Sequence, residues 1–172
     1  FSYDKLDHMN ATYIRGLGAN DLSGRLLPVL AESGAAADID TTLALVPLVR
    51  ERLRTLHDVV PLTDFVFGEA PSYDADLLPQ KGMDRAATLG ALRAAREALA
   101  SAGTFDEATI EERLRGIPEA LGLKLGAFLG VVRVAISGRK VSPPLFGTLA
   151  VMGREKVLAR LAEAERLLEG AA

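Results

Sequence analysis

Residues 121–146 read LGLKLGAFLGVVRVAISGRKVSPPLF. Leu121, Leu125, Phe128, Val132 and Ile136 recur every three or four positions, the spacing that lines one face of an α-helix. Gly138 suits the left-handed residue that stops such a helix. Arg139 and Lys140 then occupy a loop. Ser142 has the side chain of an N-cap and Pro143 the fixed φ of a first helical position, so a short helix is expected to run on to about Met152. The stretch predicts two helices joined by a stiff corner.

The same period continues in both directions. Val157, Leu161, Ala164 and Leu168 mark a buried face on a last helix. Upstream, Pro118 starts one helix and Gly116 ends another, for which Thr104 and Glu107 have capping-box spacing. An alanine-rich helix is predicted over residues 83–100, and the Pro71-Ser-Tyr-Asp-Ala-Asp76 run before it places a domain boundary near residue 72. Behind Pro47, the stripe Val49, Leu53, Leu56 and Val60 predicts one continuous helix, with Arg50 and Arg54 on one flank and Arg52 on the other. Two short helices are expected around Leu6, Met9 and Tyr13 and over residues 21–32. Nothing alternates with a period of two long enough for a strand, so the fold class is all-α.

Composition narrows the function. At 172 residues and 49% hydrophobic, the chain can bury one sizeable core or two small ones. With no cysteine, disulfides, thiol nucleophiles and thiolate zinc sites are excluded, which fits a reducing cytoplasm. No bound metal is expected. No apolar run reaches the roughly 18 residues of a membrane span, and the N-terminus lacks the features of a signal peptide. Opening on Phe1 without an initiator methionine, the sequence reads as part of something longer.

The formal net charge is −3, yet from Arg113 to Lys140 there are six cations (Arg113, Arg115, Lys124, Arg133, Arg139, Lys140) against one acid, Glu119. Such a cluster is either a solvated surface or an attractor for a polyanion. Catalytic patterns are missing. His8 and His57 read as isolated surface or core-edge residues, Gly16-Leu-Gly18 lacks a third glycine and a preceding strand, and Glu111-Glu112 diverge by about 100° on a helix. The sequence suits binding better than catalysis.

The corner after Gly138 then has two readings. It is an efficient helix–helix joint with incidental cations, or a rigid mouth, within reach of Arg133, where splayed bases of a single-stranded nucleic acid are held and read along their edges. A third possibility is a helical protein-interaction module anchored by Leu145 and Phe146.

Three groups of residues carry a family resemblance. Phe1-Ser-Tyr-Asp-Lys-Leu and Met9-Asn-Ala-Thr-Tyr-Ile-Arg15 come first, Arg50-Glu-Arg-Leu-Arg-Thr-Leu56 second. The third comprises Leu123–Gly126, Arg133–Gly138, Val141-Ser-Pro-Pro-Leu-Phe146, Leu149 and Gly153-Arg-Glu-Lys-Val-Leu158. In this order and spacing they resemble the C-terminal, anticodon-binding region of bacterial glutamyl-tRNA synthetases, class I aminoacyl-tRNA synthetases.

The resemblance implies the tail of a stem-contacting domain over residues 1–25 and two helical anticodon-binding subdomains over 26–72 and 73–172. It implies Arg52, ahead of Arg50, as reader of the first anticodon base, Ser142 and Pro143 at the middle base, and Arg133 with Leu145 at the third. Arg139 and Lys140 would contact phosphate. The implied partner is tRNA(Glu), bound by a cytoplasmic monomer with no DNA or membrane partner. ATP and Mg2+ belong to the parent enzyme's catalytic half, whose His-Ile-Gly-His and Lys-Met-Ser-Lys type motifs do not occur here. The expected activity is binding without catalysis.

Overall fold

The computed structural model describes residues 3–171, and every regular element among them is helical. Phe1 and Ser2 of the opening motif lie outside the described residues. Two compact units result, one ending at Gly68 and the other beginning at Glu69.

The first unit holds α1 (Tyr3–Gly16), α2 (Ala19–Glu32), α3 (Ile39–Val49) and α4 (Val59–Phe67). Leu22, Leu26 and Leu30 repeat at every fourth position of α2 and are fully buried, packed with α3 and its Leu45, Val46 and Val49. Each such side chain withdrawn from water contributes about 1.5–3 kcal/mol. Asp38 starts α3 by accepting the Thr41 amide at 2.7 Å, and this bond holds the carboxyl below the ordinary aspartate range.

That cap overturns the predicted helix behind Pro47. Because α3 starts at Ile39, Pro47 lies inside it and not in its first turn. Beyond Val49 the chain tightens into a 3-10 turn, Arg50–Arg52, and then extends at Leu53. Asp58 explains the break: its Oδ2 accepts the amides of both Arg54 and Thr55 at 2.8 Å, engaging two donors that a continuous helix would turn onto carbonyls. Helix α4 resumes only at Val59. On α1 the stripe Leu6, Met9 and Tyr13 is exposed, while Ala11 and Ile14 face inward.

The second unit holds α5 (Arg85–Ala100), α6 (Glu107–Arg115), α7 (Ile117–Ala120), α8 (Leu125–Ser137), α9 (Leu145–Met152) and α10 (Arg154–Gly170). Helices α5, α8 and α10 pack against one another. Their core contains Leu92 and Leu99, then Phe128 and Val132, and the full predicted stripe Val157, Leu161, Ala164 and Leu168. Leu121 is a correction: it precedes α8, in a turn, and is exposed. So is the Thr104 cap. Asp106 starts α6 instead, accepting the Thr109 amide at 2.9 Å, while the Thr104 and Thr109 hydroxyls pair with each other.

Polar ties fix α10. Arg96 grips Glu165 through two hydrogen bonds, 2.6 and 3.2 Å. Arg160, only 3% exposed, donates from Nη1 to the Ile136 carbonyl (2.7 Å) and from Nη2 to that of Glu69 (3.2 Å). Those carbonyls share a charge that burial disfavours, and burial draws the Arg160 pKa below the ordinary arginine value.

Candidate nucleic-acid interface

At the C-terminus of α8, Gly138 takes φ +69 and ψ 13 and accepts no side chain on two counts. Left-handed backbone disfavours a Cβ, and a Cβ here would lie 3.0 Å from Pro71 Cβ and 3.3 Å from Tyr73 Cδ1. Helix α8 therefore ends against the Pro71–Tyr73 segment, and the chain turns. Ser137 closes the turn from inside: its hydroxyl donates to the Arg133 carbonyl at 2.7 Å and accepts the Arg139 amide at 3.2 Å.

Across this corner Arg133 reaches the loop. Its Nη1 donates to the Ser142 hydroxyl at 2.5 Å and to the Pro143 carbonyl at 3.2 Å. The structure thus brings Arg133, Ser142 and Pro143 together. Ser142 is not the N-cap that the sequence suggested: α9 starts at Leu145 without a side-chain cap, and the Ser142 hydroxyl faces the guanidinium. Ser142, Pro143 and Leu145 are buried, whereas Arg139, Lys140, Val141 and Pro144 are exposed. The corner is a buried polar knot under an exposed basic rim. Leu145, 5% exposed, has no apolar surface free to anchor a partner protein.

A second candidate surface belongs to the first unit. Asp7, His8, Ala11 and Arg15 of α1 and Glu51, Arg52, Leu53 and Arg54 line a groove of about 490 Å³. Asn10 anchors its walls by donating from Nδ2 to the Arg54 carbonyl at 2.7 Å. Arg52 and Arg54 are exposed and share this groove, so the opposite flanks expected from a continuous helix do not exist. Arg50 is half-buried and does not line it. The sequence reading missed Arg15, His8 and Arg54 as members of one site because it had no measure of how α1 packs on the Arg50–Arg52 turn.

The anticodon binding domain model matches residues 21–165. The chain belongs to the anticodon-binding domain family. Its relatives include the glutamate–tRNA ligase of Dehalococcoides mccartyi strain ATCC BAA-2100, 39% identical over 169 residues, which are 95% of this chain and 35% of the ligase. The Roseiflexus castenholzii glutamate–tRNA ligase is 40% identical over 174 residues, 98% of this chain and 34% of the ligase. This anticodon-binding domain spans about a third of the length of the curated relatives it matches. A crystal structure of a glutamate tRNA ligase from Elizabethkingia meningosepticum superposes with a TM-score of 0.87 at 23% identity, covering 98% of the domain and 33% of that chain. That likeness establishes the all-helical fold. Anticodon recognition, and not the protein-interaction alternative, is the function that family membership supports. No group of three or more His, Cys, Asp or Glu able to hold a metal ion occurs among the described residues, and no helix there is long and apolar enough to cross a membrane.

Proposed function

We propose that this domain reads the anticodon of tRNA(Glu) as part of a glutamate–tRNA ligase. The observation that carries the reading is the convergence of Arg133, Ser142 and Pro143 at one corner, inside the stretch that the family model matches. A guanidinium already oriented by a hydroxyl and a carbonyl loses little freedom when a base edge arrives. Arg133, Ser142 and Pro143 meet one part of the anticodon, and Leu145, the first residue of α9, follows directly on that loop. Arg52 meets another base from the groove, where Arg15 and Arg54 add positive charge. Arg139 and Lys140 on the exposed rim neutralise phosphate and set affinity more than sequence choice. ATP- and Mg2+-dependent activation of glutamate belongs, in this reading, to the rest of such a ligase.

The test is binding of the 172-residue chain to tRNA(Glu) and to variants changed at each anticodon base, across a salt series. Loss at specific bases supports the reading, whereas equal, salt-sensitive binding to every RNA leaves only a basic surface. Arg52→Gln should flatten discrimination at one base by about 1–3 kcal/mol, taking base readout in duplex DNA as the guide. Unchanged discrimination removes Arg52 from the site.

A further inference from the structure

The corner has a neighbour that the sequence does not connect to it. Helix α6 packs against α9, which sets the Arg115 guanidinium over the Phe146 ring with its carbon 5.6 Å from the centroid. Phe146 follows Leu145 directly and is half-buried. Along one edge, Arg115 Nε donates to Glu111 Oε1 at 2.7 Å. The Arg115 side chain, held by ring and carboxylate, is still 50% exposed to solvent.

Two chemistries could use such a cation. As a phosphate contact it is poorly equipped, because Glu111 already neutralises it and repels an incoming phosphate. As a flat surface it is well equipped: a guanidinium plane held over an aromatic ring stacks a nucleobase, whichever base it is, at little further ordering cost. We infer that Arg115, seated on Phe146, is a stacking platform for an unpaired base of the anticodon loop next to the bases read at the Arg133–Ser142 corner. The inference rests on the anticodon reading and adds to it a contact that tolerates any base.

The experiment uses the full chain and an RNA hairpin carrying the anticodon stem-loop of tRNA(Glu), together with hairpins abasic at each loop position in turn. Wild-type protein should lose about tenfold in affinity when one position outside the anticodon triplet becomes abasic. Arg115→Lys, which keeps the charge and loses the plane, should bind the intact hairpin about tenfold more weakly, lose nothing further at that position, and keep the wild-type salt slope. Phe146→Leu should do the same. Arg166→Ala removes a cation that is likewise exposed and paired to a carboxylate, Glu163 at 2.6 Å, and should leave affinity within about twofold. Because Arg115 is exposed, Arg115→Lys keeps the test valid even where Phe146→Leu unfolds. Full binding by Arg115→Lys, or a salt slope lowered only in Arg115→Ala, overturns the platform and leaves the anticodon reading in place. Wild-type binding indifferent to the anticodon bases overturns both.

Discussion

Arg133, in the last two turns of α8, is hydrogen-bonded to the hydroxyl of Ser142, nine residues on and across the turn at Gly138. The bond joins the end of one helix to the approach of the next, and with the Ser137 bonds it helps to set the shape of the loop.

Ser142→Ala should therefore act on stability and on recognition together. A hydrogen bond from a charged donor contributes about 1.5–3 kcal/mol, and the Pro143 carbonyl remains as a second acceptor, so a loss of about 1–2 kcal/mol is expected. Urea unfolding measures it. An unchanged midpoint would mean that the pair does not hold the corner.

Gly138→Ala should cost more than Gly122→Ala, although both glycines have positive φ, +69 and +66. Left-handed backbone costs a non-glycine residue about 1–2 kcal/mol at either site. A Cβ at Gly122 meets open space, while one at Gly138 presses on Pro71 and Tyr73. The expected losses are about 1 kcal/mol and about 3 kcal/mol respectively. Equal midpoints for the two variants would contradict the close approach.

Arg160→Met should destabilise the second unit by about 3 kcal/mol, since the Ile136 and Glu69 carbonyls both lose their donor in a buried setting. Arg160→Lys should recover only part of this, because one ammonium cannot reproduce the forked reach to two carbonyls. Full recovery in the lysine variant would show that charge alone suffices there.

These relationships also mark what could be read in the sequence. The period of α8, the stop at Gly138 and the buried face of α10 were legible because each depends on neighbours one helical turn away. The stretch from Pro47 to Val60 was not. Its apolar spacing is helical, but α3 already starts at Ile39 and the Asp58 carboxylate competes for the amides of Arg54 and Thr55. Ser142 failed as a cap for a related reason. Its spacing before Pro143 fits one, but the Arg133 guanidinium, which the sequence places only within reach of the corner, faces the hydroxyl instead. Arg115 and Phe146 lie farther apart still, and only the packing of α6 on α9 unites them.

Alkaline pH should weaken the fold through Tyr73. Burial pushes its phenol up to about 12, with Glu163 adding to the rise and Arg160 opposing it. In the unfolded chain the group ionises near its ordinary value of 10 while the folded state keeps the proton, so its stabilising contribution is complete below pH 10 and is lost as pH rises toward 12. Tyr73→Phe should remove this share of the alkaline loss. An identical pH profile in the variant would mean that Tyr73 ionises in the folded protein as it does in water.

The close approach of Tyr73 to Gly138 gives the corner an optical signal of its own. There is no tryptophan in the chain, and its three tyrosines are Tyr3, Tyr13 and Tyr73, of which only the last belongs to the second unit. With Tyr3 and Tyr13 changed to phenylalanine, all tyrosine emission of the protein would come from one ring beside the turn that carries Arg139 and Lys140, so occupancy of that turn could be followed without attaching a dye.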